Sequence, residues 1–156
     1  MEKKLTDNIV FSSGDCFPII DRLNDESVHT IYLDPPFNSD RNYKLSVSSD
    51  VGFTDKWTDE LYEKWIAELV DKLFRVLKKT GTLYFHISAA CMFIPEKVLR
   101  AKFKFVTPIF WKKCRSKNNV KSKLGATIDI IFKCNKVAKP TFNVVYQEKD
   151  PTYLKN

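Results

Sequence analysis

Glycine is scarce in this chain, with four residues among 156, at positions 14, 52, 81 and 125. A loop of clustered glycines, the usual way for a backbone to approach a nucleotide closely, cannot be drawn from them. The four cysteines stand singly at 16, 91, 114 and 134, which excludes both the paired spacing of zinc sites and a disulfide-dense scaffold. They read as free thiols. Histidine is limited to His29 and His86, both inside apolar, strand-like segments, so no metal is assigned. No apolar run is long enough to cross a bilayer, and Met1-Glu2-Lys3-Lys4-Leu5-Thr6 lacks the apolar core of a signal peptide. The reading is of a cytoplasmic protein with no membrane partner.

What is present suits one domain or part of one, since 44% of the residues are hydrophobic, enough to bury a core. The net charge of +7 is unevenly placed: 11 of the 26 Lys and Arg residues, but 3 of the 19 Asp and Glu, lie after Trp111. A local surplus of that size suits phosphate neutralisation. Lys112, Lys113, Arg115, Lys117, Lys121 and Lys123 are its densest part, and they read either as candidate phosphate contacts or as a solvated lysine-rich surface.

Strands and helices alternate along the chain. Asn8 to Ser12 reads as a strand, Phe17 to Leu23 as a helix, and Val28 to Leu33 as a β-rich run suited to the interior of a parallel sheet. From Asn38 to Thr58 the chain is polar and reads as one long loop. Asp59 to Lys79 has the clearest helical period, with Leu61, Trp65, Leu69, Leu73 and Leu77 on one stripe, flanked by Tyr62, Ile66, Val70 and Phe74, and Gly81 closing it. Thr82 to Ile87 is a strand, Ser88 can cap a helix over Ala89 to Lys102, and Lys104 to Trp111 and Thr127 to Lys133 are strands, with Pro108 marking an edge or a bulge. This alternation predicts an α/β fold with helices on both faces of a parallel-type sheet, where ligands bind at the carboxyl ends of strands. Asp15 and Asp34 both follow strands directly.

Asp34-Pro35-Pro36-Phe37 carries the chemistry. The exocyclic amine of adenine or cytosine is a poor nucleophile, because its lone pair is delocalised into the ring. Two acceptors aimed at the amino protons favour the pyramidal, attacking amine, a differential stabilisation of the transition state. The Asp34 carboxylate and the Pro35 carbonyl are candidates, with the fixed φ of proline holding the carbonyl in place. Phe37 offers a π-face to a base flipped out of its duplex, worth about 1–3 kcal/mol of stacking.

The sequence resembles the β-class DNA amino-methyltransferases, which include the modification subunits of type III restriction systems. The resemblance covers Gly14-Asp15-Cys16, Ile31 to Asn38 with the tetrad, Phe53-Thr54-Asp55-Lys56-Trp57, Leu77 to Ile87, Phe110-Trp111-Lys112-Lys113 and Gly125 to Phe132. It implies a Rossmann-like methyltransferase sheet, S-adenosyl-L-methionine as cofactor, DNA as partner, and a catalytic tetrad of Asp34, Pro35, Pro36 and Phe37. It further implies that Asp15, Cys16 and Asp34 contact the cofactor, and that adenine N6 is the acceptor, since Asp leads the tetrad. His86 and Trp57 are assigned mainly structural roles, Trp57 as an anchor of the catalytic loop.

The family's F-x-G-x-G cofactor loop has no counterpart here, and the strands that carry it lie between the one before Gly14 and the one before Asp34. Residues 1–134 therefore read as the catalytic half and 135–156 as a tail leading toward a target-recognition region. A second chain or a C-terminal segment is expected to supply the loop. The alternatives are a non-catalytic DNA-binding or regulatory subunit, and an enzyme acting on cytosine N4 or RNA.

Overall fold

The structure is a computed structural model, and it describes residues 2–44, 52–113 and 127–144. Its elements in order are β1 (Glu2–Thr6), β2 (Ile9–Ser12), α1 (Cys16–Asp21), β3 (Val28–Leu33), β4 (Arg41–Lys44), β5 (Gly52–Asp55), α2 (Asp59–Val76), β6 (Leu77–Ser88), a 3-10 turn (Ala89–Cys91), α3 (Phe93–Lys102), β7 (Phe105–Lys112) and β8 (Ile128–Asn135).

The central sheet runs β3-β6-β8-β7. β3 and β6 are parallel, while β8 is antiparallel to both β6 and β7. Alternation along β6 sends Leu83, Phe85 and Ile87 to one face, where they are fully buried with Ile130, Phe132 and Cys134 of β8. α2 and α3 cover this face, burying Tyr62, Ile66, Leu69, Val70 and Leu73 from α2 and Leu99 from α3. Tyr32, Tyr84, His86, Ile109 and Trp111 take the opposite face, with Tyr32 and Trp111 about half exposed at 55% and 50%. Among the described residues, then, the helices that bury the core share one face of the sheet.

α2 begins where Thr58 accepts a hydrogen bond from the Leu61 N–H, and Asp59 and Glu60 favour its positive end. Leu69 and Leu73 of the expected stripe are buried, but in its first half the buried face is the flanking one. Tyr62 and Ile66 face the core, and Leu61 is exposed, because the sheet selects the face that packs. The helix ends at Val76, and Leu77 opens β6 at once. Gly81 is therefore a strand residue and does not close the helix. A Cβ there would lie 2.8 Å from both the His29 carbonyl oxygen and Leu77 Cδ1, so glycine is what lets β3 and β6 approach.

Val28–Leu33 is an edge strand among the described residues, pairing with β6 alone, as expected where the cofactor-loop strands have no counterpart. Two further expectations change. β2 pairs with β1 in a separate antiparallel hairpin, because the mixed-charge stretch Glu2-Lys3-Lys4-Leu5-Thr6 forms a strand that carries no apolar alternation. The polar stretch read as a long loop contains the antiparallel ribbon β4–β5. Among the described residues Pro108 does sit on an edge, since β7 is the outermost strand on the other side of the sheet. Beyond β8 the chain folds back: the Lys136 ammonium donates to the Leu77 carbonyl at 2.5 Å, and the Thr141 N–H donates to the Thr80 carbonyl at 2.9 Å.

Candidate active site

The end of β3 delivers Asp34 to the carboxyl side of the parallel pair, with its side chain 60% exposed. Pro35 is buried behind it, and Pro36 and Phe37 are half-buried. Two hydrogen-bonded supports hold this turn. The Tyr62 hydroxyl donates to the Pro36 carbonyl at 2.7 Å. Burial first, then the nearby Cys91 and Asp55, push that hydroxyl's pKa upward, so it stays a donor. The second support is Asp55, whose side chain is almost wholly buried and accepts from the Asn38 N–H at 2.9 Å, the Ser39 N–H at 3.0 Å and the Ser39 hydroxyl at 2.5 Å.

Those bonds stabilise an unusual backbone. Asn38 and Asp40 take φ of 55° and 56°, in the left-handed region that Asn and Asp tolerate best among side-chain-bearing residues. Asn38 Oδ1 in turn accepts from the Trp57 N–H at 2.8 Å. The Trp57 ring packs 5.7 Å from Tyr62 and stacks 6.1 Å from Trp65, which also stacks on Phe17 of α1. Trp57 thus ties the segment after the tetrad to α2, in line with an anchoring role. Sequence reasoning misses Asp55 as a support, although its place in Phe53-Thr54-Asp55-Lys56-Trp57 offers a signal.

Phe37 separates two environments. On one side a cavity of about 220 Å³ is lined by Phe37, Asn38, Asp59, Tyr62, Cys91 and Phe93, among others. On the other, Phe37 meets the His86 ring edge-on at 6.0 Å. His86 Nδ1 is 2.8 Å from the Tyr32 hydroxyl and 3.8 Å from Asp34 Oδ1.

The other predicted residues are less concentrated. Asp15 is the N-cap of α1, its Oδ1 accepting from the Phe17 N–H at 3.0 Å, and Gly14 before it takes φ of 135°. Cys16 is exposed at the start of that helix, and burial followed by Asp15 raises its thiol pKa. No hydrogen bond or ion pair among the described residues joins either to Asp34. Lys112 is exposed at the end of β7, and Lys113 pairs with Asp129 at 2.7 Å. Arg115, Lys117, Lys121 and Lys123 lie outside the described residues.

Comparison with known proteins decides the family. The profile of the N6/N4 DNA methylases matches residues 28–156. The chain belongs to the N6/N4 DNA methylase family. Its relatives include the DNA adenine methyltransferase YhdJ of Escherichia coli (strain K12), 30% identical over 83% of this methylase and 42% of YhdJ. The type II methyltransferase M.BamHI of Bacillus amyloliquefaciens is 39% identical over 47% of the chain and 16% of M.BamHI. Among solved structures, the cytosine-N4-specific PvuII DNA methyltransferase superposes with a TM-score of 0.57 at 14% identity, covering 90% of this chain and 58% of that one. The methylase fold is shared, and the chain spans less than half the length of the curated relatives it matches.

Proposed function

We propose that this methylase chain carries the methyl-acceptor side of an S-adenosylmethionine-dependent DNA methyltransferase acting on adenine N6. The observation that carries the reading is the support of the Asp34-Pro35-Pro36-Phe37 turn at the end of β3 by Tyr62 and Asp55. The Pro36 carbonyl is engaged by Tyr62, so the two acceptors for the amine are the exposed Asp34 carboxylate and the Pro35 carbonyl. As the amine attacks, positive charge develops on its nitrogen, and a fixed carboxylate stabilises that state more than the ground state. In this reading Asp34 takes up the proton that the methylated amine releases. Phe37 stacks on the flipped base.

S-adenosylmethionine would supply the electrophilic methyl group. The residues present fit one side of such a cofactor: with one Asp15 oxygen engaged at the cap, its other remains as an acceptor, beside Cys16 and the turn at Gly14. They do not wrap it, since no loop of clustered glycines exists in the sequence. A second chain or a further segment with an F-x-G-x-G loop would complete the site, and the tail after β8 would lead toward target recognition. Lys112, Lys113, Arg115, Lys117, Lys121 and Lys123 would meet DNA phosphates.

Adenine is preferred because Asp leads the tetrad and because YhdJ, named an adenine methyltransferase, aligns over 83% of the chain. Cytosine N4 is the second reading, favoured by the likeness to the PvuII enzyme. The test is transfer of labelled methyl groups to DNA, with and without a complementing segment, followed by nucleoside analysis. N6-methyladenine only in the complemented reaction is expected. N4-methylcytosine would replace the adenine reading, and no transfer in any assembly would favour a non-catalytic DNA-binding subunit.

A further inference from the structure

We propose that His86 is a positioning residue for Asp34, linking it across the sheet to the Asp129–Lys113 pair. The inference rests on the reading of Asp34 as an acceptor of the target amine. His86 lies on β6 with its side chain 12% exposed, and its Nε2 is sealed from solvent without a hydrogen-bond partner. An unsatisfied buried nitrogen costs about 1–3 kcal/mol, so its presence calls for a physical reason.

The surroundings supply one. Nε2 is 3.4 Å from Asp129 Oδ2, a carboxylate that is itself buried and whose Oδ1 holds the Lys113 ammonium at 2.7 Å. Nδ1 is 2.8 Å from the Tyr32 hydroxyl and 3.8 Å from Asp34 Oδ1. A bare Nε2 lone pair would face the Asp129 carboxylate across 3.4 Å, whereas the Tyr32 hydroxyl can donate to Nδ1. The imidazole proton is then on Nε2, beside the Asp129 carboxylate without reaching hydrogen-bond geometry.

This assignment leaves the exposed Asp34 carboxylate unbonded to the ring, which borders it on one side at 3.8 Å. A hydrogen bond from Nδ1–H would draw charge out of the carboxylate that must receive the amine protons, and the Tyr32 hydroxyl prevents it. The ring itself cannot swing, since it stacks on Trp111 at 5.4 Å and 25° and meets Phe37 and Tyr32 edge-on at 6.0 Å each. One imidazole therefore touches both working ends of the tetrad, the carboxylate and the stacking ring. Through Asp129 it also reaches Lys113, near the start of the basic segment.

The link can be read by long-range 15N–1H NMR on the chain, which has only two histidines, separable with His29→Gln. The expected result is a proton on His86 Nε2, an Nδ1 resonance that moves in Asp34→Asn, and an Nε2 resonance that moves in Asp129→Asn. A proton on Nδ1, or an Nδ1 resonance indifferent to Asp34→Asn, overturns the proposal. In the methyl-transferring assembly His86→Leu and His86→Gln should lower kcat about tenfold with KM for DNA unchanged. His86→Asn, which restores an acceptor at the Nδ1 position, should recover most of it. Equal losses in all three variants, in step with their melting temperatures, would reduce His86 to packing and sink the idea. If the wild-type assembly transfers no methyl group, the reading of Asp34 falls, while the NMR result still decides the link.

Discussion

The two ends of this molecule differ in how well they are finished. Around β6, Leu83, Phe85 and Ile87 are completely buried, and the tetrad beside them is held by Tyr62, Asp55 and Trp57. At the N-terminus, Leu5, Ile9, Val10 and Phe11 of the β1–β2 hairpin are all more than half exposed, and β3 keeps a free edge among the described residues. Soluble proteins pair or cover such edges and seldom leave several large apolar side chains together in water. The difference is one of division: the segment around the tetrad is packed and hydrogen-bonded, while the N-terminal hairpin and the outer edge of β3 expose apolar side chains and unpaired backbone among the described residues.

The largest effects should fall on the finished end. Phe85→Ala removes a wholly buried ring and should cost about 3–5 kcal/mol in denaturant titration. A loss below about 1 kcal/mol would mean that this core does not hold the fold. Asp34→Ala should lower kcat of the active assembly a hundredfold to a thousandfold, about 2.7–4 kcal/mol, with DNA affinity kept, because it deletes a charge that acts in the transition state and little contact area. Near-normal turnover would remove Asp34 from the chemistry.

Asp55→Ala comes next. It leaves the Asn38 and Ser39 donors without their acceptor, at about 1–3 kcal/mol, and frees a left-handed turn next to Phe37. Turnover should fall more than stability predicts; a loss of stability alone would make Asp55 a fold residue with no bearing on the tetrad. Charge reversal at Lys112, Arg115, Lys117, Lys121 and Lys123 should reduce the salt dependence of DNA binding, by about 0.9 in log–log slope for each phosphate no longer neutralised. Lys113 is best left out of that set, since its partner Asp129 would lose its counter-charge as well. An unchanged slope would assign these residues to solubility.

Much of this division is legible in the amino-acid sequence. The period of Asp59 to Lys79, the run Val28 to Leu33 and the prolines after Asp34 place the main helix, the strand and the turn within a few residues, because burial imposes those patterns directly. The features that sequence reasoning misses are set by partners distant along the chain. Glu2–Thr6 is a strand only because β2 pairs with it, and β4–β5 hide in a polar stretch because a ribbon needs no apolar face of its own. Gly81 has the look of a helix stop, but its reason is the His29 carbonyl on a neighbouring strand. Asp55 and His86 likewise act through contacts 16 and 54 residues away, which no local spacing reveals.

The smallest effect is the one that most sharpens the comparison. Phe11 sits opposite Lys3 in the hairpin, with about half its surface in water, so Phe11→Ser removes little that is buried within the chain itself. The chain alone should lose no more than about 1 kcal/mol, since about half of the ring is already covered. If the hairpin is the surface on which the cofactor-loop segment packs, the exposed half becomes buried on assembly, which is about half of the 1.5–3 kcal/mol for a whole Phe. Association with a segment carrying F-x-G-x-G should then weaken by several-fold to roughly tenfold. Light scattering and a titration of that segment, alongside a thermal melt of the variant alone, separate the two quantities. A chain destabilised by several kcal/mol would show the hairpin to be part of the finished core after all. Unaltered association would instead take the hairpin out of the proposed docking surface and leave the free edge of β3 as the place for the proposed segment.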